Sequence, residues 1–332
     1  MSEKASITQR GAVLLGENTA CDAFDETRPV RVVTHAHADH MVGLDQSLRE
    51  CERTLMTKAT RDLIGALKGP FFLARGLVET LDYGNPVQYA DEEITFYPAD
   101  HILGAAQVLV EDDEGSKIGY TGDFRLGETP ILNSDILVME ATYGNPACKR
   151  PFEGSIRDQL VSIVEQGLKQ GTVYVFGYHG KLQEIMQILH DADVKAPFAA
   201  PERVFQVSRV CEQHGMNFGQ LLICEEEETK ELLDNNSPCV AFYHMGSRSK
   251  VGSDSFRIMV SGWQFNGAIR EIAHKEYLVA LSDHSDFDGL IEYVRQSRPK
   301  LVITDNYRES HAQTLAHEIQ KRLGIKAVAL PN

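Results

Sequence analysis

Apolar residues over the first 150 positions fall in short β-branched runs separated by polar stretches rich in turn residues. Val30–Thr34, Ile94–Tyr97, Gln107–Val110, Lys117–Thr121 and Ile136–Met139 read as strands. Lys58–Leu67 has helical spacing of its apolar positions and no internal proline, which predicts a helix. The texture changes after Pro151. Ile156–Lys169, Lys181–Leu189, Glu202–His214 and Glu225–Leu233 have helical periodicity, and Val173–Phe176 between the first two reads as a strand. That alternation is the rhythm of a small parallel sheet covered by helices. From Phe256 the strand pattern returns at Phe256–Val260, Tyr277–Leu281 and Leu301–Thr304, with helices at Phe287–Gln296 and Gln313–Leu323. The pattern predicts one domain made of residues 1–150 and 256–332, with a second domain inserted over 151–255.

At 332 residues and 42% hydrophobic content, the chain can bury the cores of about two domains. No run approaches the roughly 18 consecutive apolar residues of a membrane span. Met1–Gly16 lacks an apolar core flanked by basic residues. The expected location is the cytoplasm, with no membrane partner. The six cysteines (Cys21, Cys51, Cys148, Cys211, Cys224, Cys239) are scattered without a Cys-x-x-Cys pair, which predicts reduced thiols rather than a zinc ribbon or redox motif. The net charge of −15 argues against a protein that coats a duplex electrostatically. It leaves room for a phosphodiester enzyme in which metal ions supply positive charge locally. The Glu225–Glu228 run reads as a solvated first helical turn, not a metal site.

The sharpest chemical signal is Thr34-His35-Ala36-His37-Ala38-Asp39-His40, directly after a strand. Residues two apart in an extended segment point the same way, so His35 and His37 can grip one ion together. A turn at Ala38 would aim Asp39 and His40 at a second position. Imidazole and carboxylate are the ligands of hydrolytic zinc. Asp100-His101 and Gly122-Asp123 also follow predicted strands, and beside the first cluster His101 and Asp123 read as ligands.

HAHADH, HILGAAQ and YTGDFR, in this order, resemble successive motifs of the metallo-β-lactamase fold. The resemblance implies an α/β protein, an αββα sandwich with metals at the loop edge of its two sheets. It implies two metal ions, zinc or else manganese. His35, His37 and His101 would bind the first, Asp39 and His40 the second, with Asp123 bridging both. Glu140-Ala141-Thr142-Tyr143-Gly144 and Leu281-Ser282-Asp283-His284-Ser285-Asp286 are similar to two extra motifs of the β-CASP nucleases, which insert an α/β cap domain between them. The inserted segment inferred from texture falls in that interval.

EATYGNPACKRP, FGYHGKLQE, SGW and LSDHSDFDGL look most like the small ligase-associated DNA exonucleases, whose archaeal-type relatives are described as messenger-RNA 3′-end processing factors. By resemblance, then, the chain is a nuclease of DNA repair and end processing, or alternatively of RNA processing. Its partners would be single-stranded DNA or RNA ends and a DNA ligase or other processing protein. Asp39 would act with the metals, His284 would protonate the leaving oxygen, Glu140 would hydrogen-bond a metal ligand or His284 and so fix its tautomer and aim, and the cap would wall a cleft admitting one strand. RNA-cutting relatives carry a histidine after the strand that follows the His284 segment. Here Leu301–Thr304 ends in Asp305-Asn306, which favours DNA and makes Asp305 a candidate oxygen ligand at the second metal. His311 reads as exposed and Trp263 as a packing residue. Lys181, Arg248 and Arg125 are candidate phosphate contacts. Gly177–Lys181 lacks the spacing of a phosphate-binding loop. Two other readings compete. A thioesterase or lactamase on this scaffold would lack the cap with Glu140 and His284. A non-catalytic scaffold subunit would have lost ligands, and all six principal ones are present.

Overall fold

A computed structural model describes residues 4–308 and 310–332, which divide into two compact units, 1–149 with 283–332 and 150–282. In the first unit β1 (Ala5–Ile7), β2 (Val13–Leu15), β3 (Thr19–Cys21), β4 (Val30–Val32), β5 (Arg53–Met56) and β6 (Val78–Thr80) form one sheet in chain order. A second sheet holds β7 (Val87–Tyr89), β8 (Glu92–Pro98), β9 (Ala106–Asp112), β10 (Lys117–Tyr120) and β11 (Ile136–Met139). Alternation drives their packing. Ile94 and Phe96 of β8 are fully buried while Glu93, just before them, is exposed. Ile7, Val13, Leu15, Val30, Val32 and Leu55 of the first sheet join Ile94, Phe96, Val108, Val110, Ile118 and Val138 of the second in a single apolar cluster. Helices α1 (Leu44–Glu50) and α2 (Lys58–Lys68) lie in this unit. The Thr57 hydroxyl caps α2 by accepting from the Thr60 N–H at 3.1 Å.

The second unit has its own sheet. It contains β12 (Val173–Gly177), β13 (Phe198–Ala200), β14 (Leu221–Ile223), β15 (Val240–His244), β16 (Phe256–Val260), β17 (Ile269–Ala273) and β18 (Glu276–Val279), in the order β14-β13-β15-β12-β16-β18-β17. All neighbours are parallel except β17 with β18. Helices α3 (Ile156–Leu168), α4 (Lys181–Asp191), α5 (Glu202–Gln213) and α6 (Glu227–Asp234) connect its strands. The chain then returns to the first unit through α7 (Phe287–Ser297), β19 (Leu301–Asp305), α8 (Ala312–Leu323) and β20 (Lys326–Leu330). There β19 pairs in parallel with β11 and β20 with β19.

The junction expected at 255/256 lies instead at 282/283. Phe256–Val260 is hydrogen-bonded to β12 on one side and β18 on the other, so it is an interior strand of the inserted sheet. Among the described residues no helix is long and apolar enough to cross a membrane. Among the described residues none of the six cysteines is in a disulfide, and five of them are buried.

Candidate metal centre

The loops after β4, β8 and β10 bring four donor atoms together. His37 Nδ1 lies 3.1 Å from His35 Nε2 and 3.1 Å from His101 Nε2, and Asp123 Oδ2 lies 3.6 Å and 3.7 Å from those same two nitrogens. A tetrahedral ion with ligands at about 2.1 Å separates them by about 3.4 Å along each edge. Four of the six edges of such a tetrahedron are thus matched to within about 0.3 Å, and all four atoms lie within 4.8 Å of one another. Gly122 allows this approach: it has φ +55°, and a Cβ there would stand 3.0 Å from the Ala106 carbonyl and 3.4 Å from Thr34 Cβ.

Tautomers are set from behind. His101 Nδ1 donates to the Asp283 carbonyl at 2.9 Å, which leaves the Nε2 lone pair facing the cluster. Thr34 Oγ1 is 3.1 Å from His35 Nδ1 and donates to Asp22, which gives His35 the same orientation. Burial, then the neighbouring His40, holds His35 well below the usual imidazole range, and burial likewise pushes His101 down to about 3. Both rings are thus neutral, the form that ligates.

Asp22 was not anticipated from the sequence. It is fully buried at the end of β3 and accepts from His40 Nδ1 at 2.7 Å, Thr34 N–H at 2.9 Å and the Tyr120 hydroxyl at 3.0 Å. It fixes His40 so that Nε2 faces Asp123 Oδ2 at 3.2 Å and Asp39 Oδ2 at 3.5 Å. That nitrogen is buried and has no well-formed hydrogen-bond partner. Burial opposes charge on His40, but Asp123 and Asp22 raise its pKa well above the usual value. The positive charge that these carboxylates draw onto His40 could instead be supplied by a metal ion, held by the deprotonated His40 with Asp39 and Asp123. The Asp39 side chain is 61% exposed.

Glu140, at the end of β11, accepts from the Phe124 N–H at 2.8 Å and the Thr142 hydroxyl at 2.6 Å. Its carboxylate meets His284 Nδ1 at 2.9 Å. The His284 ring stands 4.8 Å from that of His101. Burial would lower the His284 pKa, but Glu140 and then Asp123 and Asp283 raise it to about 10.

Other candidates are placed differently. Asp305 is buried, its carboxylate taken by the Arg308 guanidinium at 2.8 Å and the Tyr307 N–H at 2.8 Å. A carboxylate so occupied is a structural ion pair rather than a ligand. Arg308 in turn donates to the carbonyls of Gly11 and Asp39, tying three segments together. Arg125 makes a two-pronged pair with Asp100 at 2.9 Å on each arm. Arg248 pairs with Glu276 at 2.6 Å, and the buried Lys181 ammonium donates to the Leu281 carbonyl at 3.3 Å. Each of these three cations thus has a partner within the protein. His311 is half-buried at the start of α8, not exposed, and Trp263 is exposed rather than packed.

The model of the β-lactamase superfamily domain matches residues 19–192, a span that contains Asp22, the histidine cluster, Asp123 and Glu140. The chain belongs to that superfamily. The RNase J-like protein of Methanocaldococcus jannaschii is 30% identical, aligned over 96% of this chain and 92% of its own. A protein of Acidianus ambivalens described as lying in the lig 3′ region is 38% identical over 138 residues, 41% of this chain and 99% of that one. A probable DNA ligase of Opitutus terrae is 27% identical over 323 residues, 90% of this chain but only 28% of the ligase. Within the superfamily the chain is a β-CASP nuclease with a cap domain, a metal-dependent phosphodiesterase.

Proposed function

We propose that this β-CASP protein is a zinc-dependent exonuclease that shortens single-stranded DNA from an end during repair or end processing. The observation that carries the reading is the tetrahedral spacing of His35, His37, His101 and Asp123, with His40 and Asp39 beside them. Two ions held there would supply Lewis-acid activation of water and charge for a phosphoryl oxygen. The chain's own residues do the rest. Glu140 holds His284 through Nδ1, and Nε2 would be the atom that gives a proton to the departing sugar oxygen. Phe124 N–H and Thr142 lock Glu140 in turn. The carbonyl of Asp283 keeps His101 in its ligating tautomer.

The DNA assignment draws support from the two relatives whose descriptions refer to a ligase or a ligase region. It is also supported by Asp305, where RNA-cutting relatives carry a histidine. These same relatives motivate a DNA ligase as partner. The RNase J-like relative, aligned over most of both chains, favours the second reading, an RNA-processing nuclease. End-labelled single strands of DNA and RNA with matched sequence separate the two. Progressive shortening of the DNA, with circular single-stranded DNA left intact, is the expected result. Rapid cutting of the circle would refute the exonuclease mode, and much faster loss of the RNA would move the protein to the second reading.

A further inference from the structure

The loops that follow β12, β15 and β16 in the second unit serve no role in the chemistry above. β12 lies between β15 and β16, at the place where chain order reverses in this parallel sheet. Ligands of open α/β sheets bind outside the strand carboxyl ends at such a point. Three aromatic side chains stand there. Tyr178 follows β12 and is 56% exposed, and its ring meets that of His244, the last residue of β15, edge-on at 5.2 Å. Trp263 follows β16 and is 54% exposed.

These rings are held, not loose. His244 Nδ1 accepts from the Gly246 N–H at 3.2 Å. The turn carrying Trp263 is anchored by the buried Arg150, which donates to the Gly262 carbonyl at 3.1 Å and lies 5.6 Å from the Phe265 ring centroid. The Trp263 backbone N–H donates to Ser261 Oγ at 3.2 Å. A turn anchored in this way has already lost backbone freedom that binding would otherwise cost.

Charge is distinctive too. The chain carries 48 acidic and 33 basic residues, yet the stretches 177–183, 244–252 and 261–268 contain no carboxylate. Of their cations Lys181 is buried against the Leu281 carbonyl and Arg248 pairs with Glu276, while Lys250 is exposed. Glu276 neutralises one charge but is shared between Arg248 and Arg257, at 2.6 Å and 3.0 Å.

We propose that these loops form a stacking platform for the bases of single-stranded nucleic acid, with Tyr178, His244 and Trp263 as its rings and Lys250 beside a phosphate. Exposed aromatics beside a solvent-facing cation are the combination that binds single strands without reading sequence. The inference rests on the nucleic-acid reading above and names where the strand is gripped.

Trp263 is the only tryptophan in the chain, so the unmodified protein reports on itself. Oligothymidylate titrated into the full-length protein in EDTA should quench its tryptophan emission saturably. An abasic oligonucleotide of equal length and charge should quench far less. Tyr178→Ala, read by the same quenching, and Trp263→Ala, read by the fluorescence anisotropy of an end-labelled oligothymidylate because the variant has no tryptophan, should each weaken binding by about tenfold, as loss of one stacking contact does, with little effect on the abasic strand. Equal responses to the two strands, or equal losses on both, would overturn the platform. Hydrolysis of bis(p-nitrophenyl) phosphate by the unmodified protein is measured alongside. Its absence counts against the nuclease reading, while the quenching result decides the platform by itself.

Discussion

The loops around His35 and Asp123 are buried and crowded with carboxylates, whereas those after β12, β15 and β16 are open and carry none. In the first group nearly every imidazole has its outer nitrogen or its backbone neighbour tied to a second residue: His101 to Asp283, His35 to Thr34, His40 to Asp22, His284 to Glu140. In the second Tyr178 and Trp263 are more than half exposed. The contrast follows from what each must do. Ligands for a cation need fixed tautomers and low dielectric, and water would compete for both. A surface that accepts successive bases needs exposed π-faces and a local excess of positive charge.

Four substitutions probe that division, beginning with the largest effect. His284→Ala should cut hydrolysis by about 10²–10⁴-fold, the usual contribution of general acid–base catalysis, with bound metal unchanged. A loss smaller than about fivefold rejects the proton-donor role, and loss of metal together with activity would make His284 a ligand. Asp22→Asn keeps the side-chain shape but removes the charge that orients His40. Metal affinity should fall by about 10–100-fold, as it does when such supporting carboxylates are removed, and a chelator competition titration measures it. Unchanged affinity would mean that Asp22 serves the fold alone. Lys250→Ala should have the smallest effect. The slope of log affinity against log salt for single-stranded DNA should drop by about 0.7, one phosphate's worth. A similar drop for Lys181→Ala would contradict the buried carbonyl bond that occupies that ammonium.

The motif-bearing loops were legible in the sequence because His and Asp at two-residue spacing after β-branched runs constrain both geometry and chemistry. The sequence-based expectation for the six principal residues thus put His35, His37, Asp39, His40, His101 and Asp123 in one neighbourhood, and the structure brings them together. The second domain junction was not legible. Phe256–Val260 and Leu301–Asp305 are both five-residue apolar strands, and hydrophobicity marks a strand without saying which sheet receives it. Asp22 was hidden because its strand, Thr19–Cys21, is three residues long and its partner Tyr120 is 98 residues away. The partners of Arg125 and Arg248, Asp100 and Glu276, lie 25 and 28 residues distant, so a cation's availability could not be read locally. Trp263 sits where a turn meets a strand, and position along the chain does not tell which side of a turn faces water.

The measurement that bears most directly on the account is the metal content of purified, active protein, by elemental analysis, beside His37→Ala. The His37 Nδ1 atom sits 3.1 Å from two other imidazole nitrogens, so its removal breaks the cluster at its centre. The unmodified protein should carry between one and two equivalents of zinc per chain, and His37→Ala should lose most of it together with phosphodiester hydrolysis. Active protein free of bound metal, or a His37→Ala variant that retains both its zinc and its activity, would contradict the account.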